Sequence, residues 1–329
     1  MKYFVTGATG FVGSHVTRQL VEAGHQVVAV VRSPDKANDL TALGVTLHQG
    51  DVADKESMRA PMQDVDGIFH IAGWYKLGVR DKSPGAQINI QGTRNVLELM
   101  RELGIPKGVY TSTLAINSDT HGKIVDESCE YRGPHISEYD RTKWAAHYEV
   151  AAPMMAEGLP LVIVMPGVIY GPGDTSSVRT TFIQYLQHKL PVIPSGTAYS
   201  WGHVDDIARA HVLGMEKGKA GEHYIIAGPS HTLVEAMDMA QRITGVPAPR
   251  HVSPGLLRTA SSLVGVTEKV VPMPEQYSAE YLRVSAGVTY LGTSARAQRE
   301  WDYHPRPLEE GLAETLRHEM HLLGMAVKA

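Results

Sequence analysis

Through the first half of the chain, short apolar runs alternate with segments whose apolar residues recur every three to four positions. The runs fall at residues 2–6, 26–32, 45–48, 67–71, 108–112 and 161–165. They are apolar at consecutive positions, the pattern of strands buried on both faces. Between them, helical spacing predicts helices over 12–23, 34–43 and 86–103. The last carries Ile88, Ile90, Val96, Leu97 and Met100 and stops at Gly104 before Pro106. Such alternation predicts an α/β fold, a doubly wound parallel sheet with helices on both sides. After Gly171-Pro172-Gly173 the alternation weakens, and helices are predicted over 175–190, 204–214, 234–244 and 308–323. This describes a smaller, mostly helical C-terminal lobe at the edge of the sheet where open α/β sheets bind ligands. The stretch 256–271 is apolar but interrupted by Arg258, Glu268 and Lys269. A membrane span needs about 20 apolar residues, so this reads as a lid or core helix.

Directly behind the first strand stands Thr6-Gly-Ala-Thr-Gly-Phe-Val-Gly13. Gly7, Gly10 and Gly13 let the backbone turn tightly, approach a pyrophosphate and pack the next helix close to the sheet. The spacing is Gly-x-x-Gly-x-x-Gly, and its place between a strand and a helix makes it a dinucleotide cradle of Rossmann type. Gly7, Thr9, Gly10, Phe11, Val12 and Gly13 are its expected cofactor-binding residues. An acidic residue at the end of the second strand would select NAD through the ribose hydroxyls. Here the chain has Val31-Arg32-Ser33-Pro34-Asp35-Lys36. Arg32 can fork onto a 2′-phosphate with Lys36 as a second positive charge, so NADP is expected over NAD. Asp51 and Val52, after the third strand, are expected near the adenine. The division expected is an NADP-binding domain over 1–170, rejoined by 200–226, and a substrate lobe over 171–199 and 227–329.

Tyr139 and Lys143 are four residues apart, hence neighbours on one helix face. A tyrosine pKa of about 10 is high for acid–base catalysis near neutrality. A lysine ammonium beside it favours the phenolate and can also bind the nicotinamide ribose. A carbonyl substrate needs a further donor, and Thr111-Ser112-Thr113 at a strand end offers three candidates.

The remaining features mostly exclude. The net charge of -4 provides no basic field for nucleic acid or an anionic membrane. The single cysteine, Cys129, cannot form an internal disulfide and fits a reducing, cytoplasmic setting; its polar surroundings offer no base for a nucleophile. His318-Glu-Met-His321 lacks the spacing of a zinc helix, and no metal is expected. His203, Asp205 and Asp206 read as a helix start capped by an aspartate.

In combination these segments resemble the extended short-chain dehydrogenase/reductases. They are most similar to the dihydroflavonol 4-reductase-like branch of the NAD(P)-dependent epimerase/dehydratase family. The resemblance rests on Thr6–Gly13, Asp51-Val52, Ile71-Ala72-Gly73, Asn89, Thr111–Thr113, Tyr139–Lys143, 166–172, 203–206 and 290–312. It implies Tyr139 as general acid, Lys143 as its pKa setter and ribose ligand, and Thr113 as carbonyl donor with Ser112 as the alternative. It also implies Asn89 as support for the active-site helix and proton relay. Ala72, Gly73, Pro166 and Val168 would line the cofactor. A homodimer through the helices over 86–103 and 136–157 is implied by the resemblance alone.

Two departures from the sugar-nucleotide members matter. Leu114-Ala115 follows Thr113 where those dehydratases carry Asp-Glu, and many epimerases place an asparagine in the segment that reads Met165-Pro166-Gly167-Val168 here, where Gly167 has no side chain to hold a diphosphate. Both point to a reductase of a less polar carbonyl compound, with Trp74, Tyr75 and Leu77 as an apolar wall, or with Trp74 and Tyr75 packing between the lobes. The function expected is an NADPH-dependent reductase, reversible as a dehydrogenase, of a small-molecule ketone or aldehyde. The alternatives are a nucleotide-sugar epimerase or dehydratase with recycled NAD, and a non-catalytic NADP-sensing protein.

Overall fold

The computed structural model describes residues 1–256 and 278–326. Its strands are β1 (Lys2–Thr6), β2 (Gln26–Val31), β3 (Thr46–Gln49), β4 (Gly67–His70), β5 (Gly108–Thr111), β6 (Leu161–Pro166), β7 (Val168–Tyr170), β8 (Val192–Pro194), β9 (Ala198–His203), β10 (His223–Ile226), β11 (Ser230–Thr232), β12 (Arg250–Val252) and β13 (Thr289–Tyr290). Seven of them form one sheet in the order β10-β6-β5-β4-β1-β2-β3. Every pairing in that sheet is parallel. Consecutive strand residues feed opposite faces, as side-chain alternation requires. Phe4 of β1 packs with Leu97, Met100, Leu161 and Ile163 on one side. Tyr3 and Val5 pack with Val16, Leu20, Val162 and Ile207 on the other. The helices Phe11–Glu22 and Val204–Lys217 cover the second face and lie against each other.

The expected elements of the first half stand, with boundary shifts. The segment expected as one helix over 34–43 is a short turn, Pro34–Lys36, followed by the helix Asn38–Ala42. The helix expected over 86–103 starts at Ser83, winds as a π-helix over Ala86–Gly92 and continues as Thr93–Glu102. A second π-helical stretch, Ala146–Ala151, interrupts the helix that carries Tyr139. Beyond the seven-stranded sheet the chain holds more strand than its sequence pattern showed. β11, β9, β13 and β7 make a four-stranded sheet, and β12 pairs with β8. All of them but β9 have only two or three residues, too short for periodicity to register. The helix expected over 175–190 is Ser177–Leu186. From residue 257 on, the segment read as a lid or core helix lies outside the described residues.

Candidate active site

The cradle is built by backbone contact. Gly7 has φ +74, a conformation that glycine reaches without strain. A Cβ at Gly7 would lie 2.7 Å from the amide nitrogen of Ala72, and one at Gly13 only 2.0 Å from the Gly7 carbonyl oxygen. Gly10 precedes the helix Phe11–Glu22, whose start has no side-chain cap, so its first N–H groups are available to an anion. Strand end, helix start and the Ala72 backbone thus meet where a side chain at Gly7 or Gly13 has no room. This fits a pyrophosphate, which needs close backbone approach.

Arg32 and Lys36 follow β2 and are exposed. Among the described residues neither takes part in a hydrogen bond or ion pair with another side chain. Asp51 turns one carboxylate oxygen onto the Ala53 N–H at 2.9 Å. Val52 is buried, and its carbonyl accepts from Asn95 Nδ2 at 2.8 Å. Pro166 ends β6 buried, while Val168 is half-buried in β7, paired with Trp201. Between them, a Cβ on Gly167 would lie 2.1 Å from the Ser200 carbonyl oxygen. That position has no room for a side chain of any kind.

Ser137 caps the helix Glu138–Ala145, and Tyr139 and Lys143 both sit in it. The three hydroxyls ahead of it point three ways. Thr111 Oγ1 meets His211 Nε2 at 2.9 Å on one face of the sheet. Ser112 Oγ meets His147 Nδ1 at 2.8 Å on the other. Thr113 starts the turn Leu114–Asn117; its hydroxyl accepts from the Ala115 N–H at 3.2 Å and is the one of the three that lowers the Tyr139 phenol pKa. The structure therefore brings Thr113 to Tyr139 and directs Ser112 elsewhere.

Burial pushes the Tyr139 phenol above its ordinary value, the Thr113 hydroxyl works against this, and Tyr75 and Asp140 add to the rise. Lys143 is buried, and its ammonium is pulled down to about 7 by desolvation. Its Nζ donates to the Thr111 carbonyl at 2.8 Å and reaches the Tyr110 hydroxyl at 3.3 Å. The direct lowering of the phenol by its lysine neighbour, expected from the four-residue spacing, is not the dominant effect here. Helix spacing makes the two neighbours, but the amine is drawn to the end of β5.

Asn89 lies in the π-helical stretch and is buried. Its Oδ1 accepts from Trp74 N–H at 2.7 Å, and its Nδ2 donates to Trp74 O at 3.0 Å and to Thr142 Oγ1 at 2.9 Å. The side chain clamps the 74–75 segment to the helix of Tyr139. It leans on a relay that sequence reasoning missed. Thr6 Oγ1 accepts from the N–H groups of Ile71 and Ala72 and meets His70 Nδ1 at 2.8 Å. His70 Nε2 meets Thr93 Oγ1 at 3.0 Å, and Thr93 donates to the Asn89 carbonyl at 2.6 Å. Burial, with Lys143 as a smaller cause, pulls the His70 imidazole down to about 3. A polar residue at the end of an apolar strand was the available signal.

Trp74 and Tyr75 face different surroundings. Trp74 packs inward, where a Cβ on Gly85 would touch its ring at 3.1 Å. Tyr75 is 44% exposed and stands edge-on to the Tyr139 ring at 4.7 Å. Tyr199 and Tyr290, from the smaller lobe, stack at 6.3 Å, and the Tyr290 hydroxyl donates to Asp140 Oδ2 at 3.1 Å.

The segments set aside have structural partners. His203, not an aspartate, caps Val204–Lys217, accepting from Asp205 N–H because its ring nitrogen reaches that amide from the end of β9. His203, Asp205 and Glu314 converge, but Arg18 neutralises Asp205 at 2.6 Å and Arg306 neutralises Glu314 at 2.9 Å. Glu319, between His318 and His321, is buried against Arg179 at 2.8 Å. Burial raises the Cys129 thiol pKa, the wrong direction for a nucleophile. No helix among the described residues is long and apolar enough to cross a membrane.

Comparison with known proteins agrees with this geometry. Residues 3–227 match the model of the NAD dependent epimerase/dehydratase family. A putative dihydroflavonol 4-reductase of Synechocystis sp. is 32% identical over 95% of this chain and 93% of that protein. A 2-alkyl-3-oxoalkanoate reductase of Stenotrophomonas maltophilia is 31% identical over 95% of this chain and 97% of that one. The crystal structure of gox2253 superimposes with a TM-score of 0.85 at 28% identity, covering 98% of this chain and 99% of its own. The chain belongs to the NAD-dependent epimerase/dehydratase family and is an NAD(P)-dependent oxidoreductase.

Proposed function

We propose that this protein is an NADPH-dependent reductase, reversible as a dehydrogenase, of a ketone or aldehyde with a substantial apolar part. The observation that carries the reading is the convergence of Tyr139 and Lys143 on one helix, with Lys143 Nζ held on the Thr111 carbonyl at 2.8 Å and the Tyr75 ring edge-on to Tyr139 at 4.7 Å. In this proposal residues 1–170 and 200–226 hold the dinucleotide, and 171–199 with 227–329 shape the substrate side. Gly7, Thr9, Gly10, Phe11, Val12 and Gly13 would receive the pyrophosphate. Asp51, Val52, Ala72, Gly73, Pro166 and Val168 would line the rest of the coenzyme. Arg32 and Lys36 would take the 2′-phosphate, a preference supported by a guanidinium that no carboxylate engages among the described residues.

When bound, the nicotinamide supplies the hydride that a carbonyl carbon accepts. Thr113 would hold the carbonyl oxygen, and Tyr139 would give it a proton. A phenol pushed up by burial stays protonated at neutral pH, the state an acid needs. Lys143, near 7, can gain or lose a proton at working pH from its place beside Thr111. The smaller reading is a nucleotide-sugar epimerase, in line with a UDP-glucose 4-epimerase of Streptomyces lividans that is 28% identical over 80% of this chain and 87% of that one. The segment Met165-Pro166-Gly167-Val168 disfavours it, since it carries no amide side chain to hold a diphosphate and Gly167 has no room for one.

The test is Tyr139→Phe, which removes the proton and keeps the ring. Turnover is expected to fall by about 10²–10⁴-fold while NADPH binding stays nearly unchanged. Retained turnover would remove Tyr139 from the acid role.

A further inference from the structure

Glu280 comes from the smaller lobe, in the helix Ala279–Ser285, and is only 6% exposed. Its carboxylate touches three groups on two other segments. Oε1 accepts from the Glu138 backbone N–H at 2.8 Å. Oε2 accepts from the Gly78 N–H at 3.0 Å and lies 3.0 Å from Lys82 Nζ.

Each partner bears on Tyr139. Glu138 is the first residue of the helix that carries Tyr139, and its N–H has no acceptor inside that helix. Ser137 serves the Asp140 N–H at 3.1 Å, and Glu280 serves Glu138 from across the lobe boundary. A carboxylate there also meets the positive end of the helix. Gly78 and Lys82 lie on the loop that begins with Trp74 and Tyr75, and Tyr75 stands edge-on to Tyr139. Asn89 pins the start of that loop through Trp74, and Glu280 pins its far end.

We infer that Glu280 is a positioning residue, a latch by which the smaller lobe holds the 74–82 loop and the start of the Tyr139 helix together. It fixes Tyr75 against the catalytic phenol. The role rests on the reading of Tyr139 as the acid. A buried carboxylate with three donors loses all of them in Glu280→Ala. Glu280→Gln keeps one acceptor oxygen and the shape but loses the charge that Lys82 meets.

The test uses the full chain with native-state trypsin, because the loop carries its own cleavage sites after Lys76, Arg80 and Lys82. Mass spectrometry follows each site, and fluorescence titration follows NADPH. In Glu280→Ala, cleavage at these three sites is expected to rise about tenfold or more, with less in Glu280→Gln. Cleavage elsewhere and NADPH affinity are expected to match the unmodified protein. Unchanged cleavage in the loop, or a rise at every site, overturns the latch.

A kinetic arm uses benzylacetone with NADPH. The latch predicts that KM rises more than kcat falls in Glu280→Ala, partial rescue in Glu280→Gln, and no further loss when Tyr75→Ala is added. Additive losses contradict the path through Tyr75. If the unmodified protein turns over no carbonyl compound, the reductase reading fails, and the loop cleavage still decides the latch.

Discussion

At the cradle, the decisive contacts run between backbones: Gly7 against Ala72 and Gly13 against Gly7. Around Tyr139 they run between side chains brought from remote segments, Tyr75 and Glu280 among them. The cradle is a strand, a turn and a helix in sequence, so spacing alone dictates its shape. The surroundings of Tyr139 exist only once segments far apart in the chain have come together. The first region is generic, suited to a coenzyme shared by many proteins. The second is assembled from side chains of distant segments, and it is where specificity would be set.

Gly13→Ala should expose this contrast most strongly. The added methyl would lie 2.0 Å from the Gly7 carbonyl oxygen, so the backbone must move. Dinucleotide binding is expected to weaken by about 100-fold or more, with about 1–3 kcal/mol of stability lost to overpacking. Calorimetric titration and a denaturation curve measure the two. Binding at unmodified strength would mean the cradle is looser than its contacts indicate.

The next effect separates neighbouring hydroxyls. Thr113→Val should lower kcat/KM by about 10²–10³-fold, the range for loss of one donor to a reacting oxygen. Ser112→Ala should leave kcat/KM nearly intact and cost about 1 kcal/mol of stability through the lost His147 contact. The reverse outcome would move the carbonyl donor to Ser112.

The smallest effect is on pH dependence, through the relay that joins the two regions. His70 titrates near 3 in the folded protein against about 6.5 when unfolded. Between those values the unfolded state binds more protons, so stability falls as pH drops from 6.5 toward 3. His70→Gln should reduce that slope by about 1.4 kcal/mol per pH unit within the window, measured by urea titration at several pH values. An unchanged slope would mean that His70 is protonated in the fold.

The parallel sheet and the cradle were legible because both rest on local pattern. Consecutive apolar residues mark β1, β2, β5 and β6, and three glycines mark the turn. Tyr139 and Lys143 could be placed on one helix face from spacing, but where Lys143 points could not, since its partners Thr111 and Tyr110 lie some 30 residues upstream. Ser112 and Thr113 could not be separated because strand direction at the end of β5 depends on which helix packs on each face. The strands outside the main sheet, such as Val168–Tyr170 and Thr289–Tyr290, are too short to show a period. Glu280 carried no signal, because a lone glutamate in a polar stretch reads as a solvated surface group until the fold buries it.

The most direct test of the central claim follows the nicotinamide absorbance while NADPH or NADH is mixed with a panel of apolar ketones and aldehydes. The account predicts net consumption of NADPH, one equivalent for each alcohol formed. Tightly retained NAD that is never consumed, together with interconversion of nucleotide-linked sugars, would contradict it.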